Sequence, residues 1–213
     1  MPEDVAELQN HWWWRPGWRE GRHVYACHLI LNDQPRLRAL VARYQDATKA
    51  LAILDPIPPQ CLHLTTQEIG FVDEISRDEA EAVLRGIADR LKQVERPTVT
   101  FQYPTVRLEA VFLKAHPVEP LYSIRRQVHD AVVDVLGNDR AEPLPKPEDY
   151  RPHVSIAYVN ADAPATPVAA AVRGVEVEPV TVTFTKADFL EFHRDHRMYE
   201  WTSATPVPFG STV

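Results

Sequence analysis

The chain has 213 residues, of which 45% are hydrophobic and 25% are charged. This composition is typical of a globular protein that buries a core, and it excludes a disordered chain. The net charge of −7 argues against a protein that tracks long nucleic acid, because phosphate contacts come from Lys and Arg, but it leaves room for one nucleotide or an RNA end in a locally basic pocket.

The start of the sequence carries no signal-peptide pattern. No apolar run approaches the roughly 18 residues that are needed to cross a bilayer. We therefore expect a cytoplasmic protein without membrane contact. Cys27 and Cys61 are too few for a disulfide scaffold and lack the C-x-x-C spacing of a zinc site. We expect both to be buried free thiols.

In the first half of the chain, strands and helices alternate. Residues 24–31 predict a strand, and apolar side chains at three- and four-residue spacing over 37–51 predict a helix. A proline cluster ends this helix before a strand at 61–69. Ser76 and Glu79 form a capping-box pattern, which predicts the start of a second helix.

The second half contains more strands. Its predicted elements are strands at 98–103 and 106–113, a third helix ended by Gly137, a proline-rich loop at 138–152, a strand at 153–159, a short helix near 166–173, and strands from about 176 to 192 and 197 to 204. Many of these strands follow one another closely enough to pair antiparallel.

The element order predicts an α+β fold of two similar lobes rather than a doubly wound parallel sheet. We expect a single domain over 1–213, with a Trp-rich N-terminal arm at 1–22, a first lobe at about 23–115 and a second lobe at about 116–213. The sequence contains no G-x-G-x-x-G motif, no P-loop and no G-x-S-x-G motif, which are common nucleotide-binding and hydrolase motifs.

Two H-x-[ST] tripeptides open predicted strands in corresponding positions of the two lobes. The first carries His63 and Thr65, and the second carries His153 and Ser155. Residues i and i+2 of a strand lie on one face, so each imidazole lies beside a hydroxyl, an arrangement suited to surrounding a phosphate. The same alternation places Gln67 on that face as a possible substrate contact. Local pairing of each histidine at a strand edge is an equally open interpretation.

The sequence resembles the 2H phosphoesterases, which include the bacterial 2′-5′ RNA ligase-like cyclic phosphodiesterases. HLTTQEIG at 63–70 resembles their first motif, and PHVSIAY at 152–158 resembles their second. The resemblance covers roughly residues 24–204. It implies a bilobal, duplicated fold in which two antiparallel sheets flanked by helices surround a central cleft, with one motif from each lobe. The opening HWWWRPGWREGRH at 11–23 is similar to a subgroup seen in actinobacterial relatives.

The resemblance implies that His63 and His153 act as general acid and base, and it favours His63 as the acid. The expected substrate is a 2′,3′-cyclic phosphate on a small nucleotide or an RNA terminus. Thr65 and Ser155 would donate hydrogen bonds to the phosphate oxygens. Neither a metal nor another cofactor is implied, and imidazole titrates near neutral pH, as both roles require.

The chain departs from the family pattern at several positions. Tyr158 stands where the second motif often has Arg, and Ser155 stands where it often has Thr. Thr66, Gln67 and Glu68 replace residues that are usually apolar in the first motif. Tyr158 is therefore a further possible substrate contact, and the loss of Arg leaves less positive charge for a phosphate.

The N-terminal arm contains four tryptophans and Arg15. It is either a flap that stacks a nucleobase and brings Arg15 to a phosphate, or a packed arm that covers the sheet. We favour packing for the tryptophans and leave Arg15 open. We expect His28 to serve packing, and His193 and His196 to lie in a surface turn rather than in a zinc site.

Three other functions remain open. The first is a non-catalytic module that binds a nucleotide or RNA end. The second is a 2H enzyme that acts on 2′-5′ linkages or cyclic oligonucleotides. The third, which is least favoured, is a metal hydrolase. We expect a monomer with no long nucleic-acid tract as its partner.

Overall fold

Residues 4–210 are described by the computed structural model, and they form twelve strands and four α-helices. In chain order these are β1 (Glu7–Leu8), β2 (Val24–Ile30), α1 (Pro35–Thr48), β3 (Leu54–Pro56), β4 (His63–Phe71), α2 (Arg77–Leu91), β5 (Thr98–Phe101), β6 (Pro104–Val106), β7 (Ala110–Lys114), α3 (Glu119–Leu136), β8 (His153–Val159), β9 (Ala163–Pro164), α4 (Thr166–Arg173), β10 (Val180–Thr183), β11 (Lys186–His193) and β12 (Glu200–Pro208).

The predicted helix ends are formed by local interactions. At the start of α2, the Ser76 hydroxyl accepts a hydrogen bond from the Glu79 amide, and the Glu79 carboxylate accepts one from the Ser76 amide. This reciprocal pair confirms the predicted capping box. At the end of α3, Gly137 has a φ of +83° and its amide donates to the Val133 carbonyl. Only glycine adopts this conformation readily, which explains why the helix ends there.

The central sheet has eight strands in the order β12-β11-β2-β4-β8-β7-β6, with β3 also paired to β8. Every pair is antiparallel. The sheet has two halves, one from β12 to β4 and one from β8 to β6. They meet at β4 and β8, which pair at Leu64 and Val154. The α+β prediction is confirmed, and the two predicted sheets are the halves of this sheet.

The helices cover the two halves separately. Helices α2 and α3 pack on each other, with α3 against β4 and α2 against β12. Helix α1 packs against β8, β10 and α4. The predicted division of the chain near 115 is wrong, because the halves interleave. Strands β11 and β12 come from the end of the chain but complete the half that contains β4, whereas β3 joins the other half.

The predicted strand at about 176–192 is two strands. Strand β10 pairs with β5 in a separate two-stranded sheet, whereas β11 pairs with β2 in the central sheet. The chain changes partner between Thr183 and Lys186, and Phe184 within this change is almost fully buried. A continuous β pattern in the sequence does not show such a change of partner.

Candidate active site

The two H-x-[ST] motifs lie side by side on β4 and β8. Leu64 and Val154, the middle residues of the two motifs, face each other across the strand pair and are fully buried. The residues on either side of them point to the opposite face of the sheet. They line one cavity of about 420 Å³ and are His63, Thr65, His153 and Ser155. The structure therefore brings together all four side chains of the predicted motifs.

Both motif histidines have the same hydrogen-bonding arrangement. The Nδ1 atom of His63 lies 2.8 Å from the Cys61 carbonyl oxygen, and that of His153 lies 2.7 Å from the Arg151 carbonyl oxygen. A carbonyl oxygen only accepts hydrogen bonds, so Nδ1 carries the proton in each ring. This leaves Nε2 of both rings as the atom that can accept or deliver a proton in the cavity.

The surroundings of these rings disfavour their charged forms. Burial lowers the pKa of both His63 and His153, while the carbonyl groups of Cys61 and Arg151 oppose this. The nearness of His153 lowers the pKa of His63 further. Two neighbouring imidazoles repel each other when both are protonated, so the pair with a single proton is favoured over the doubly protonated pair.

A β-bulge interrupts β4 immediately after the first motif. In the pairing with β2, His28 lies opposite Thr65 and Cys27 lies opposite Gln67. Thr66 is therefore an extra residue without a partner of its own. Because side chains alternate along a strand, one extra residue inverts the faces of the residues after it, here Gln67 and Glu68, until Ile69 forms a second bulge.

The bulge contradicts the predicted orientation of Gln67. This side chain is fully buried on the other face of the sheet, where its Nε2 donates to the Glu142 carboxylate at 2.9 Å. The prediction that Gln67 contacts substrate is therefore wrong. Glu68 lines the cavity instead. Burial and the nearby Glu142 raise the pKa of Glu68 to about 7, against the opposing effect of Arg15.

A matching bulge interrupts β8 after the second motif. Ser155 pairs with Phe112 and Ala157 pairs with Val111, so Ile156 is the extra residue. The two motif strands thus have the same irregularity at the same distance from their histidines.

Tyr158 lies on the site face because of this second bulge. It lines the cavity five residues after His153, just as Glu68 does five residues after His63. Simple alternation would place Tyr158 in the core. Its ring stacks on that of His11, with 4.3 Å between the ring centroids. The His11 Nε2 lies 3.2 Å from the Tyr199 hydroxyl, and both residues also line the cavity.

Residues 4–22 of the N-terminal arm pack against both halves of the central sheet. The amide of His11 donates to the Val159 carbonyl at 2.8 Å, and the indole of Trp12 donates to Asp55 at 2.8 Å. Trp18 packs against Phe71. These contacts agree with the packed-arm interpretation. Trp13 and Trp14 differ, since they are 45% and 50% exposed.

Arg15 is bound to protein rather than directed into the cavity. Its Nη2 lies 2.6 Å from the carboxylate of Glu109. Glu109 lines the cavity, whereas Arg15 does not. The prediction of a direct contact between Arg15 and substrate is therefore not supported by this arrangement. Arg107, in the turn between β6 and β7, does line the cavity. It supplies positive charge that the second motif lacks at Tyr158.

His28 is a cavity residue that the sequence did not reveal. It lies on β2, is 3% exposed, and stacks on His63 with 5.2 Å between ring centroids. Burial and the neighbouring His63 lower the pKa of His28 to about 3. A neutral ring therefore supports His63. The sequence predicts only a packing role for His28. Its place in the cavity depends on the register between β2 and β4, which the sequence does not show.

Other sequence predictions concern residues away from this cavity. Cys27 and Cys61 are buried free thiols, as expected. Within residues 4–210, no three His, Cys, Asp or Glu side chains form a group that could hold a metal ion. No helix in that range combines the length and the apolarity that crossing a bilayer requires.

Comparison with known families places this cavity in context. The family model described as the 2′-5′ RNA ligase superfamily matches residues 32–196. The chain belongs to this superfamily. The resemblance to the 2H phosphoesterases is thereby confirmed, and membership supports a phosphodiesterase or ligase-like activity. The actinobacterial subgroup stays a prediction. His11, His28 and Tyr199 line the cavity from outside the matched range.

Solved structures show the same fold. TT0787 of Thermus thermophilus is 17% identical, with a TM-score of 0.65, covering 86% of this chain and 97% of that one. E. coli LigT complexed with ATP is 15% identical, with a TM-score of 0.58, covering 88% of this chain and 99% of that one. No curated protein matches the chain by sequence.

Proposed function

We propose that the chain is a phosphodiesterase that hydrolyses a ribose 2′,3′-cyclic phosphate, with His63 and His153 as general acid and base. The observation that carries this proposal is the matched pair of imidazoles in one cavity, each with Nδ1 held by a backbone carbonyl and Nε2 left for proton transfer. The activity requires one ring to accept a proton while the other delivers one.

The reaction needs one proton shared between two bases. The neutral imidazole removes a proton from water as its oxygen bonds to phosphorus. The protonated imidazole gives its proton to the ribose oxygen as the phosphorus–oxygen bond to it breaks. The product is a 2′- or 3′-phosphomonoester. The proximity of His63 and His153, which favours the singly protonated pair, supports this division of roles.

The phosphate itself would be held by neutral donors and one cation. Thr65 and Ser155 can donate hydroxyl hydrogen bonds to its non-bridging oxygens, where negative charge increases in the transition state. Arg107 would supply the positive charge. Tyr158 is positioned to contact the same group or the ribose. None of these steps uses a metal ion, so we expect activity in the presence of a chelator.

The substrate would be nucleotide-sized. The cavity volume of about 420 Å³ lies in the range of small-molecule sites. Structures of the similar E. coli LigT complexed with 3′-AMP, ATP and phosphate support a small nucleotide as ligand. We further propose that residues 1–213 act as a single monomeric domain in the cytoplasm.

The test is the turnover of the four nucleoside 2′,3′-cyclic monophosphates by the wild type and by His63→Ala and His153→Ala, with and without EDTA. We expect EDTA-resistant turnover that falls by about 100-fold or more in each variant, as loss of a general acid or base produces. His129→Ala is a matched control, because His129 does not line the cavity.

Other outcomes would support the alternatives. Nucleotide binding without turnover, unchanged in both alanine variants, would favour a non-catalytic binding module. Turnover of a 2′-5′ linked or cyclic oligonucleotide, with none of a cyclic monophosphate, would favour those substrates for the same histidine pair. Activity that EDTA abolishes would refute the metal-independent mechanism.

A further inference from the structure

A second groove lies between the N-terminal arm and the turn that joins β11 to β12. It has a volume of about 400 Å³. The arm contributes Asn10, Trp12 and Trp14 to its walls, and the turn contributes Arg194 and Arg197. Among residues 4–210, none lines both this groove and the catalytic cavity. We call it the arm groove.

Arg194 is a buried cation without a carboxylate partner. The residue is 3% exposed, and its guanidinium forms no ion pair with any other residue of the described range 4–210. Its Nη2 donates to the His11 carbonyl at 3.1 Å, whereas its Nη1 is buried without a hydrogen-bond acceptor. Burying a charge is costly unless an opposite charge compensates it. An anion in the arm groove would supply that compensation.

Aromatic rings surround this guanidinium in place of a carboxylate. The Arg194 Cζ atom lies 5.5 Å from the centre of the Trp12 ring and 5.8 Å from that of the Trp14 ring. It also lies 5.4 Å from the centre of the Tyr199 ring. Trp14 is 50% exposed, and its indole N–H has no hydrogen-bond acceptor among residues 4–210. The Trp14 ring is therefore accessible to a planar group of a ligand, on which it can stack.

The arm groove carries more positive than negative charge, although the whole chain has a net charge of −7. Two guanidinium groups, those of Arg194 and Arg197, and one carboxylate, that of Asp195, line it. The Asp195 carboxylate already accepts a hydrogen bond from the Gly21 amide at 3.0 Å. The Arg197 side chain is 56% exposed, and its ion pair with Asp55 is long, at 3.9 Å. Exposed pairs of this kind contribute little to stability, so Arg197 can bind an anion instead.

Two asparagines add one hydrogen-bond donor and one acceptor. The Asn10 side-chain oxygen accepts from the Trp12 amide at 2.9 Å, which leaves the Asn10 NH₂ group. The Asn160 side chain, which also lines the groove, donates to the Ala52 carbonyl and to Asp55, which leaves its oxygen. Neither remaining group has a partner in the part of the chain from 4 to 210. The edge of a nucleobase presents donors and acceptors that can bind both.

We propose that the arm groove binds a nucleoside monophosphate. The phosphate pairs with Arg197 and compensates the charge of Arg194, while the base stacks on Trp14. The volume of about 400 Å³ lies in the range of small-molecule sites. This site is separate from the cavity of His63 and His153, so the proposal holds whether or not that cavity hydrolyses a cyclic phosphate.

The experiment titrates isotope-labelled protein with adenosine 5′-monophosphate and follows the tryptophan indole N–H signals by NMR. The Trp14 signal, assigned from the spectrum of Trp14→Phe, should shift and saturate. Arg197→Glu should weaken this binding by about 10-fold or more, because a charge-assisted contact is lost. Arg197→Gln, which removes the charge without reversing it, should weaken it less. Adenosine alone and inorganic phosphate alone should each bind about 10-fold more weakly, since each makes only one of the two kinds of contact.

Two matched substitutions locate the binding. Arg36→Glu makes the same change of charge at an exposed position on α1, outside the groove. Arg107→Glu makes it in the catalytic cavity. Neither should alter the titration curve of Trp14. The indole signals of the other tryptophans check that each variant keeps the fold.

Three results would overturn the proposal. The first is a Trp14 signal that does not shift, or that titrates equally in the wild type and Arg197→Glu. The second is a curve that weakens only in Arg107→Glu, which would assign the shift to nucleotide in the catalytic cavity. The third is binding of inorganic phosphate as tight as that of the nucleotide, which would reject the nucleotide as the ligand.

Discussion

Glu68 provides a test of the site geometry that does not depend on finding the substrate. Its carboxyl group lies in a cavity suited to an anion, and burial with the neighbouring Glu142 raises its pKa to about 7. Glu68→Gln replaces the carboxyl by a neutral group of the same shape. The variant should therefore differ from the wild type at high pH, where Glu68 is charged, and resemble it at low pH.

Ionisation of Glu68 is coupled to unfolding of the chain. Below pH 4.5 the carboxyl is protonated in both folded and unfolded chains. As the pH rises to 7, it ionises first in the unfolded chain, so the wild type progressively loses stability. The rise from 4.5 to about 7 corresponds to about 3 kcal/mol at about 1.4 kcal/mol per pH unit. The side chain is only half-buried, so water reduces this to about 1–2 kcal/mol.

The assay is urea unfolding of the wild type and Glu68→Gln at pH 4.5 and pH 8, in buffers without phosphate. We expect closely similar free energies of unfolding at pH 4.5, and a gain of about 1–2 kcal/mol for the variant at pH 8. Glu178→Gln serves as control, because Glu178 is exposed and lies outside the cavity. If Glu68→Gln behaves like Glu178→Gln at both pH values, the description of Glu68 as a half-buried cavity residue with a raised pKa is refuted.

Three further predictions concern the proposed chemistry and the arm. Because burial lowers the pKa of both His63 and His153, the bell-shaped pH profile of kcat/KM should be centred below pH 6.5, and a maximum above pH 7.5 would contradict this. Arg107→Ala should raise KM about 10-fold with less effect on kcat, as loss of a charge-assisted contact would, whereas an unchanged KM would show that Arg107 does not bind the phosphate. Trp12→Phe should lower the free energy of unfolding by about 1 kcal/mol, because the indole hydrogen bond to Asp55 is lost, and an unchanged urea midpoint would indicate that the arm contributes nothing there.

The parts of the fold that the sequence predicts well depend on neighbouring residues. The capping box of Ser76 and Glu79 and the glycine at 137 act over a few positions, and the structure has both. The strand predicted at 153–159 has the same bounds as β8. Each of these patterns is complete within one short segment, so no knowledge of distant partners is needed.

The errors concern partners that lie far apart in the chain. The predicted lobes were contiguous segments, yet β11 and β12 pair beside β2 and β4. His28 lines the cavity because it lies opposite Thr65, 37 positions further along the chain. Pairing of this kind is determined by packing of the whole sheet. Periodicity shows which faces are apolar but not which strands meet.

The two bulges show why strand alternation failed at Gln67. Alternation assumes an unbroken strand, and one extra residue at Thr66 or Ile156 inverts the faces of the positions directly after it. Glu68 and Tyr158, both five residues after a motif histidine, are brought to the cavity in this way. Both are also among the positions where the chain differs from the motif residues that the resemblance leads us to expect. A substitution there changes what a ligand meets, whereas one at Gln67 changes only the packing behind the sheet. These two departures are therefore the positions from which a substrate preference of this chain's own should arise.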